Sequence, residues 1–101
     1  MAGVEVELLY FEGCPNWKTA DERLRVLAAE RGFEVRHRLI ATPDEGREAG
    51  FHGSPTILVD GEDPFACGDE PPGLSCRVYR TPAGIDGAPT IEQLRAALGG
   101  P

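Results

Sequence analysis

An apolar run from Val4 to Phe11 gives way to a helix-patterned run from Pro15 to Arg31 across the break Glu12-Gly13-Cys14. The first run reads as a strand and the second as an amphipathic helix. Cys14 therefore falls where a strand ends and a helix begins. A helix N-terminus carries unpaired N–H groups and a partial positive charge, and both favour a thiolate over a thiol. Pro15 suits the first helical position, where its missing N–H costs nothing. One reading makes Cys14 an N-cap thiol with a lowered pKa, the environment of a reactive cysteine. The other makes it a small apolar residue at a turn.

The chain has 101 residues, enough for one small domain, and no repeat or internal boundary interrupts it. A single domain over residues 1–101 is expected. The formal net charge of -7 disfavours non-specific nucleic-acid binding and anionic membrane surfaces. No apolar run reaches the length of a membrane span. The first residues, Met1-Ala2-Gly3-Val4-Glu5, lack the pattern of a signal peptide, so a cytoplasmic location is expected. Three cysteines are too few for a disulfide scaffold. In a reducing compartment, reactive or buried thiols are expected instead.

The helix after Cys14 aligns Trp17, Ala20, Leu24, Leu27 and Ala28 on one face. Lys18, Asp21, Glu22, Arg25 and Arg31 fill the other, with Asp21 and Arg25 in the favourable i,i+4 order. Arg31-Gly32 is a stop signal. Phe33 to Ile40 alternates as an edge strand does, with Phe33, Val35, His37 and Leu39 on one face. Two strands joined by a helix of this length predict a parallel βαβ unit.

A short helix is expected from Thr42-Pro43 to about Ala49, capped by Thr42 and weakened by Gly46. The turn cluster Phe51-His52-Gly53-Ser54-Pro55-Thr56 feeds a short buried strand, Ile57 to Val59, which ends at an Asp60-Gly61 turn. Residues 61–74 read as a long irregular acidic loop, followed by a strand at Cys76-Arg77-Val78-Tyr79-Arg80 and a loop from Thr81 to Pro89. Thr90 and Gln93 form a capping-box pattern for a last helix striped with Ile91, Leu94, Ala97 and Leu98.

With Cys14-Pro15-Asn16-Trp17 after the first strand and Gly53-Ser54-Pro55-Thr56 before the third, the chain resembles thioredoxin-fold proteins over nearly its whole length. It more closely resembles a group of small bacterial thioredoxin-like proteins, some tied loosely to mercury resistance. That group's pattern includes Asp60-Gly61, Asp63-Pro64-Phe65 and Cys76-Arg77-Val78-Tyr79. The resemblance implies a three-layer α/β fold. Its four-stranded mixed sheet has order 2-1-3-4 with strand four antiparallel to the rest, and helices cover both faces. It also implies a cis peptide bond before Pro55. Ser54 backbone would then be presented beside Cys14, able to pair with an extended peptide.

In the resembling enzymes the first cysteine attacks a disulfide and a second, three residues on, resolves the mixed disulfide. Here Trp17 stands at that second position, and an indole cannot resolve a disulfide. Three readings stay open. Cys14 acts as a monothiol with a small thiol such as glutathione; Cys67 or Cys76 resolves from a distance; or the scaffold binds a partner without redox chemistry. The first two make the protein a thiol–disulfide oxidoreductase whose partners are protein or small-molecule thiols and disulfides. The third makes it a binding module with a groove around Cys14, Trp17, Ser54 and Pro55.

Of the three pairings among these cysteines, Cys67 with Cys76 would fasten the long loop, yet both are expected to be reduced in a cytoplasm. No cofactor is expected. No ligand spacing for structural zinc is present, and Asp60, Glu62, Asp63, Asp69 and Glu70 lack the calcium-loop spacing, so they read as solvated. Capture of a soft metal or a mercurial by Cys14 with Cys67 or Cys76 is a further alternative. His37 reads as a packed or edge-strand residue and His52 as a surface loop residue, the alternative for His52 being an approach to Cys14 that stabilises its thiolate. Trp17 at helical spacing reads most simply as core.

Overall fold

The structure, a computed structural model, describes residues 4–13, 15–51, 53–65 and 77–98. In chain order the elements are β1 (Val6–Tyr10), α1 (Asn16–Arg31), β2 (Val35–Leu39), α2 (Pro43–Ala49), β3 (Thr56–Val59), β4 (Tyr79–Thr81), β5 (Gly84–Asp86) and α3 (Ile91–Ala97). The chain is a small α/β protein.

β1 is the middle strand of a three-stranded sheet ordered β2-β1-β3. It runs parallel to β2, with Val6 opposite Val35 and Tyr10 opposite Leu39. It runs antiparallel to β3, with Val6 opposite Val59 and Leu9 opposite Thr56. Two expectations are corrected here. The third strand, not the fourth, is antiparallel to β1. Among the described residues the fourth strand does not extend this sheet: β4 pairs antiparallel with β5 in a separate two-stranded sheet, Tyr79 opposite Asp86 and Thr81 opposite Gly84.

The direction of β3 has a simple cause. β1 and β2 are parallel, so the chain leaves β2 at the end where β1 also finishes. The seven residues of α2 span only ~10 Å at 1.5 Å per residue. They leave the chain at that end, and β3 runs back along β1. β4 falls at the end of the strand expected at Cys76–Arg80, whereas β5 lies in the stretch expected to be loop: its three residues, Gly84-Ile85-Asp86, carry a single apolar side chain and so no alternation.

Alternation along β1 serves a core on each face of the sheet. Val6 and Leu8 pack with Ile57 of β3, Ala20, Leu24 and Leu27 of α1, and Leu94 of α3. Leu9 points the other way and packs with Leu58, Ile40 and Phe51, against which Ala49 of α2 leans. α1 and α3 thus cover one face and α2 the other. Gly46 of α2 is buried against the Leu9 cluster, where a Cβ would make ordinary contacts with Phe51 and Ile40 at 3.4–3.5 Å.

The helix ends follow local chemistry. Thr42 caps α2 in a reciprocal box with Glu45, and Thr90 caps α3 in one with Gln93. Gly32 and Gly50 close α1 and α2 in the left-handed conformation. The Asp60-Gly61 turn has positive φ at both residues (53° and 84°), as a two-residue hairpin turn between Val59 and Glu62 requires. Asp60 also ties this turn to the start of β1: its N–H donates to the Glu5 carbonyl at 2.7 Å, and its carboxylate accepts from the Glu5 N–H at 3.0 Å.

Candidate functional site

α1 begins at Asn16, with Pro15 in the cap position at φ -76° and ψ -7°. The expected start at Pro15 is therefore early by one residue, a difference within the usual fraying of helix ends, and the cap position falls on Pro15 rather than on Cys14 as expected. The Pro15 carbonyl accepts from the Lys18 N–H at 3.1 Å, and no side chain caps the helix. Cys14 falls in sequence within the turn between β1 and α1 but lies outside the described residues, as do His52, Cys67 and Cys76.

Trp17 is partly buried against the core of the α1 face. Its ring stacks on Tyr10 with centroids 4.3 Å apart and planes 27° from parallel. The strand-end tyrosine and first-turn tryptophan are thus one aromatic unit that fixes the entry angle of α1 over the sheet. Across the same end of the molecule, the Asn16 side chain lies so close over Gly87 that a Cβ there would collide with it.

Ser54 and Pro55 are fully buried, and the peptide bond between them is cis. Because Leu9 pairs with Thr56 in an antiparallel ladder, the residues just before Thr56 stand beside those just after Leu9. The Ser54-Pro55 segment therefore borders the β1–α1 turn. Both of its carbonyls accept hydrogen bonds from within the chain. The Arg77 N–H donates to the Ser54 carbonyl at 2.9 Å, and the Tyr79 hydroxyl donates to that of Pro55.

These donors belong to a cluster that sequence reasoning did not assemble. Arg77 and Asp63 form a buried ion pair at 2.6 Å, their side chains 4% and 5% exposed. The Arg77 guanidinium also donates to the Phe65 carbonyl at 2.8 Å and lies 4.7 Å from the centre of the Tyr79 ring. Phe65 meets Tyr79 edge-on at 5.3 Å, and its N–H donates to the Asp63 carboxylate at 2.9 Å. Hydrogen bonds between ionised partners, such as that from Arg77 Nη1 to the Asp63 carboxylate, are stronger than neutral ones. The cluster clamps the chain before and after residues 66–76 against Ser54-Pro55. Asp63 is therefore no solvated loop residue, which corrects the expectation from its acidic surroundings. Asp63-Pro64-Phe65 and Arg77-Val78-Tyr79 stood out in the sequence only as a pattern; nothing local pairs residues fourteen apart.

Asp21 is a second correction. It stands on the expected polar face of α1 yet is buried. Its carboxylate contacts Arg25 Nε at 2.9 Å and His37 Nε2 at 2.6 Å. His37 is thus an edge-strand residue held to α1. Among the described residues no group of three or more His, Cys, Asp or Glu side chains is placed to hold a metal ion. No described helix is long and apolar enough to cross a membrane. A depression of about 520 Å³ lined by Val4, Val6, Phe33 and Asp60 opens at the opposite end of the sheet from the β1–α1 turn.

No family model matches this chain, and no curated protein is significantly similar to it.

Proposed function

We propose that the chain is a thioredoxin-like thiol protein in which Cys14 is the nucleophile of thiol–disulfide exchange. The observation that carries this reading is the antiparallel register of Leu9 with Thr56. It sets the Ser54-Pro55 segment against the turn to which Cys14 belongs in sequence. The sheet order β2-β1-β3 and the helices on both faces support it.

In this reading the Cys14 thiolate attacks one sulfur of a disulfide. A mixed disulfide forms and the other sulfur leaves as a thiolate. A second thiol then attacks the mixed disulfide and releases Cys14. Trp17 cannot supply that thiol, so it comes from a small thiol or from Cys67 or Cys76. The proposed partners are thiols and disulfides of proteins or small molecules, in a reducing compartment.

The experiment is the pH dependence of iodoacetamide alkylation in a Cys67→Ser/Cys76→Ser background. A thiolate titrating well below the ~8.5 of a free cysteine, and lost in Cys14→Ser, is the expected result. A slow thiol that titrates at or above that value would overturn the reading.

The stack of Trp17 on Tyr10 favours a second reading, a binding module without redox chemistry. Here the aromatic pair occupies the place where a resolving cysteine would act, and Cys14 is a contact residue. Partner binding that survives Cys14→Ser, alongside an unreactive thiol, identifies this second case.

A further inference from the structure

We propose that the outer edge of β2 is a docking edge for an extended peptide of alternating acidic and apolar residues, added as a further strand beside Val35–Leu39. β2 is the last strand of its sheet, and among the described residues nothing pairs with its outer side. The Ile40 N–H donates to the Tyr10 carbonyl at 2.7 Å. In a parallel ladder the N–H and C=O groups of alternate residues point to opposite sides. Arg36, Arg38 and Ile40 therefore face β1, and the backbone groups of Val35, His37 and Leu39 face outward. An extended peptide satisfies such a row of donors and acceptors with its own backbone.

The side chains select the peptide. Arg36 and Arg38 stand on the sheet face that carries Leu9 and Leu58, are exposed, and form no ion pair among the described residues. Glu7 opposite Arg36 on β1 is the one acidic residue in register with β2. On the other face, a groove of about 330 Å³ runs between α1 and β2, floored by Ala28 and Val35 and rimmed by Arg25, Glu34 and His37. Leu39 is 44% exposed at the end of the same row. A peptide strand with acids on one face and apolar residues on the other meets both sets.

A second copy of this chain fits worse. Antiparallel pairing of two β2 strands centred on His37 would set Arg36 opposite the other copy's Arg38. Like charges directly opposite each other are destabilising, whereas opposite charges attract. The net charge of -7 does not cancel this preference, because at physiological ionic strength screening acts over ~8 Å and the nearest charges decide.

The test uses the full chain and a capped eight-residue peptide of alternating Val and Glu, followed by NMR. Amides of Val35, His37 and Leu39 are expected to shift and to gain exchange protection. Arg36→Glu/Arg38→Glu is expected to weaken binding on the order of tenfold, since each cross-strand charge pair changes sign. Leu39→Pro removes one outward N–H and no bond to β1, so it is expected to abolish binding while the unfolding midpoint stays close to wild type. Equal binding of a Val–Lys peptide, shifts confined to other residues, or no binding would overturn the proposal. A homodimer dispersed by Leu39→Pro would also overturn it and assign the edge to a second copy.

Discussion

Asp63 and Asp21 both lie in charged stretches, both are buried, and both contact a guanidinium. The surroundings of those contacts differ. Asp63 meets an arginine as buried as itself, and Arg77 is held further by the Phe65 carbonyl and the Tyr79 ring. Asp21 is 12% exposed, but Arg25 is 69% exposed and His37 a third exposed. Burial of the partner is what separates the two. A buried carboxylate that loses its partner retains the full desolvation cost, whereas water substitutes readily for an exposed one.

This contrast orders the expected effects. Arg77→Met leaves the Asp63 carboxylate facing an apolar side chain and is expected to destabilise by about 3–5 kcal/mol. Urea denaturation measures it, and a midpoint close to wild type would break the contrast at its stronger end. Asp63→Leu combined with Arg77→Met should recover much of that loss, because an apolar pair carries no desolvation penalty. A double variant as unstable as the single one would show that geometry, not charge burial, sets the cost.

Tyr79→Phe keeps the ring contacts and removes the donor to the Pro55 carbonyl. A loss of about 1–2 kcal/mol is expected. No change in the denaturation midpoint would detach the Ser54-Pro55 segment from the cluster energetically. Asp21→Ala is expected to cost about 1 kcal/mol, mostly through the His37 hydrogen bond. A cost equal to that of Arg77→Met would contradict the ranking. Arg25→Ala sits at the bottom: an exposed i,i+4 pair contributes ~0.3–0.5 kcal/mol, and a thermal shift of many degrees would show that the arginine stem has a packing role.

Local chemistry was legible in the sequence. Thr42 with Pro43, Thr90 with Gln93, and Asp60-Gly61 each announce their geometry within a few residues. So does the alternation of Phe33 to Ile40, which marked an edge strand before any pairing was known. The parallel run of β1 and β2 was legible from the helix that joins them, but the direction of β3 was not. Residue patterning is the same read forward or backward, and the heading of β3 depends on where α2 leaves the chain. β4 overlaps the strand expected at Cys76–Arg80, but β5 was read as loop, because its three residues, Gly84-Ile85-Asp86, are too few and too polar to show an apolar alternation. At the candidate site, Cys14, Trp17, Ser54 and Pro55 were all named from sequence, and the register of Leu9 with Thr56 gave two of them a place beside the β1–α1 turn. The Asp63–Arg77 pair was invisible because opposite charges distant in sequence carry no periodic signature. Asp21 was misread as solvent-facing because helical spacing ignores the edge strand that packs alongside.

The central position of β1 also has a consequence in time. Val6 finds one neighbour at Val35 and the other only at Val59. On a ribosome, the βαβ unit through Leu39 emerges first, and twenty further residues must follow before β3 is complete. At ~5–20 residues per second that wait is roughly one to four seconds. For that interval the strand destined for the middle of the sheet is itself an open edge, and the apolar face that Leu9 shares with Ile40 has no lid. The nascent chain is thus most open to mispairing and to chaperone capture after β2 emerges, and Thr56–Val59 ends that window.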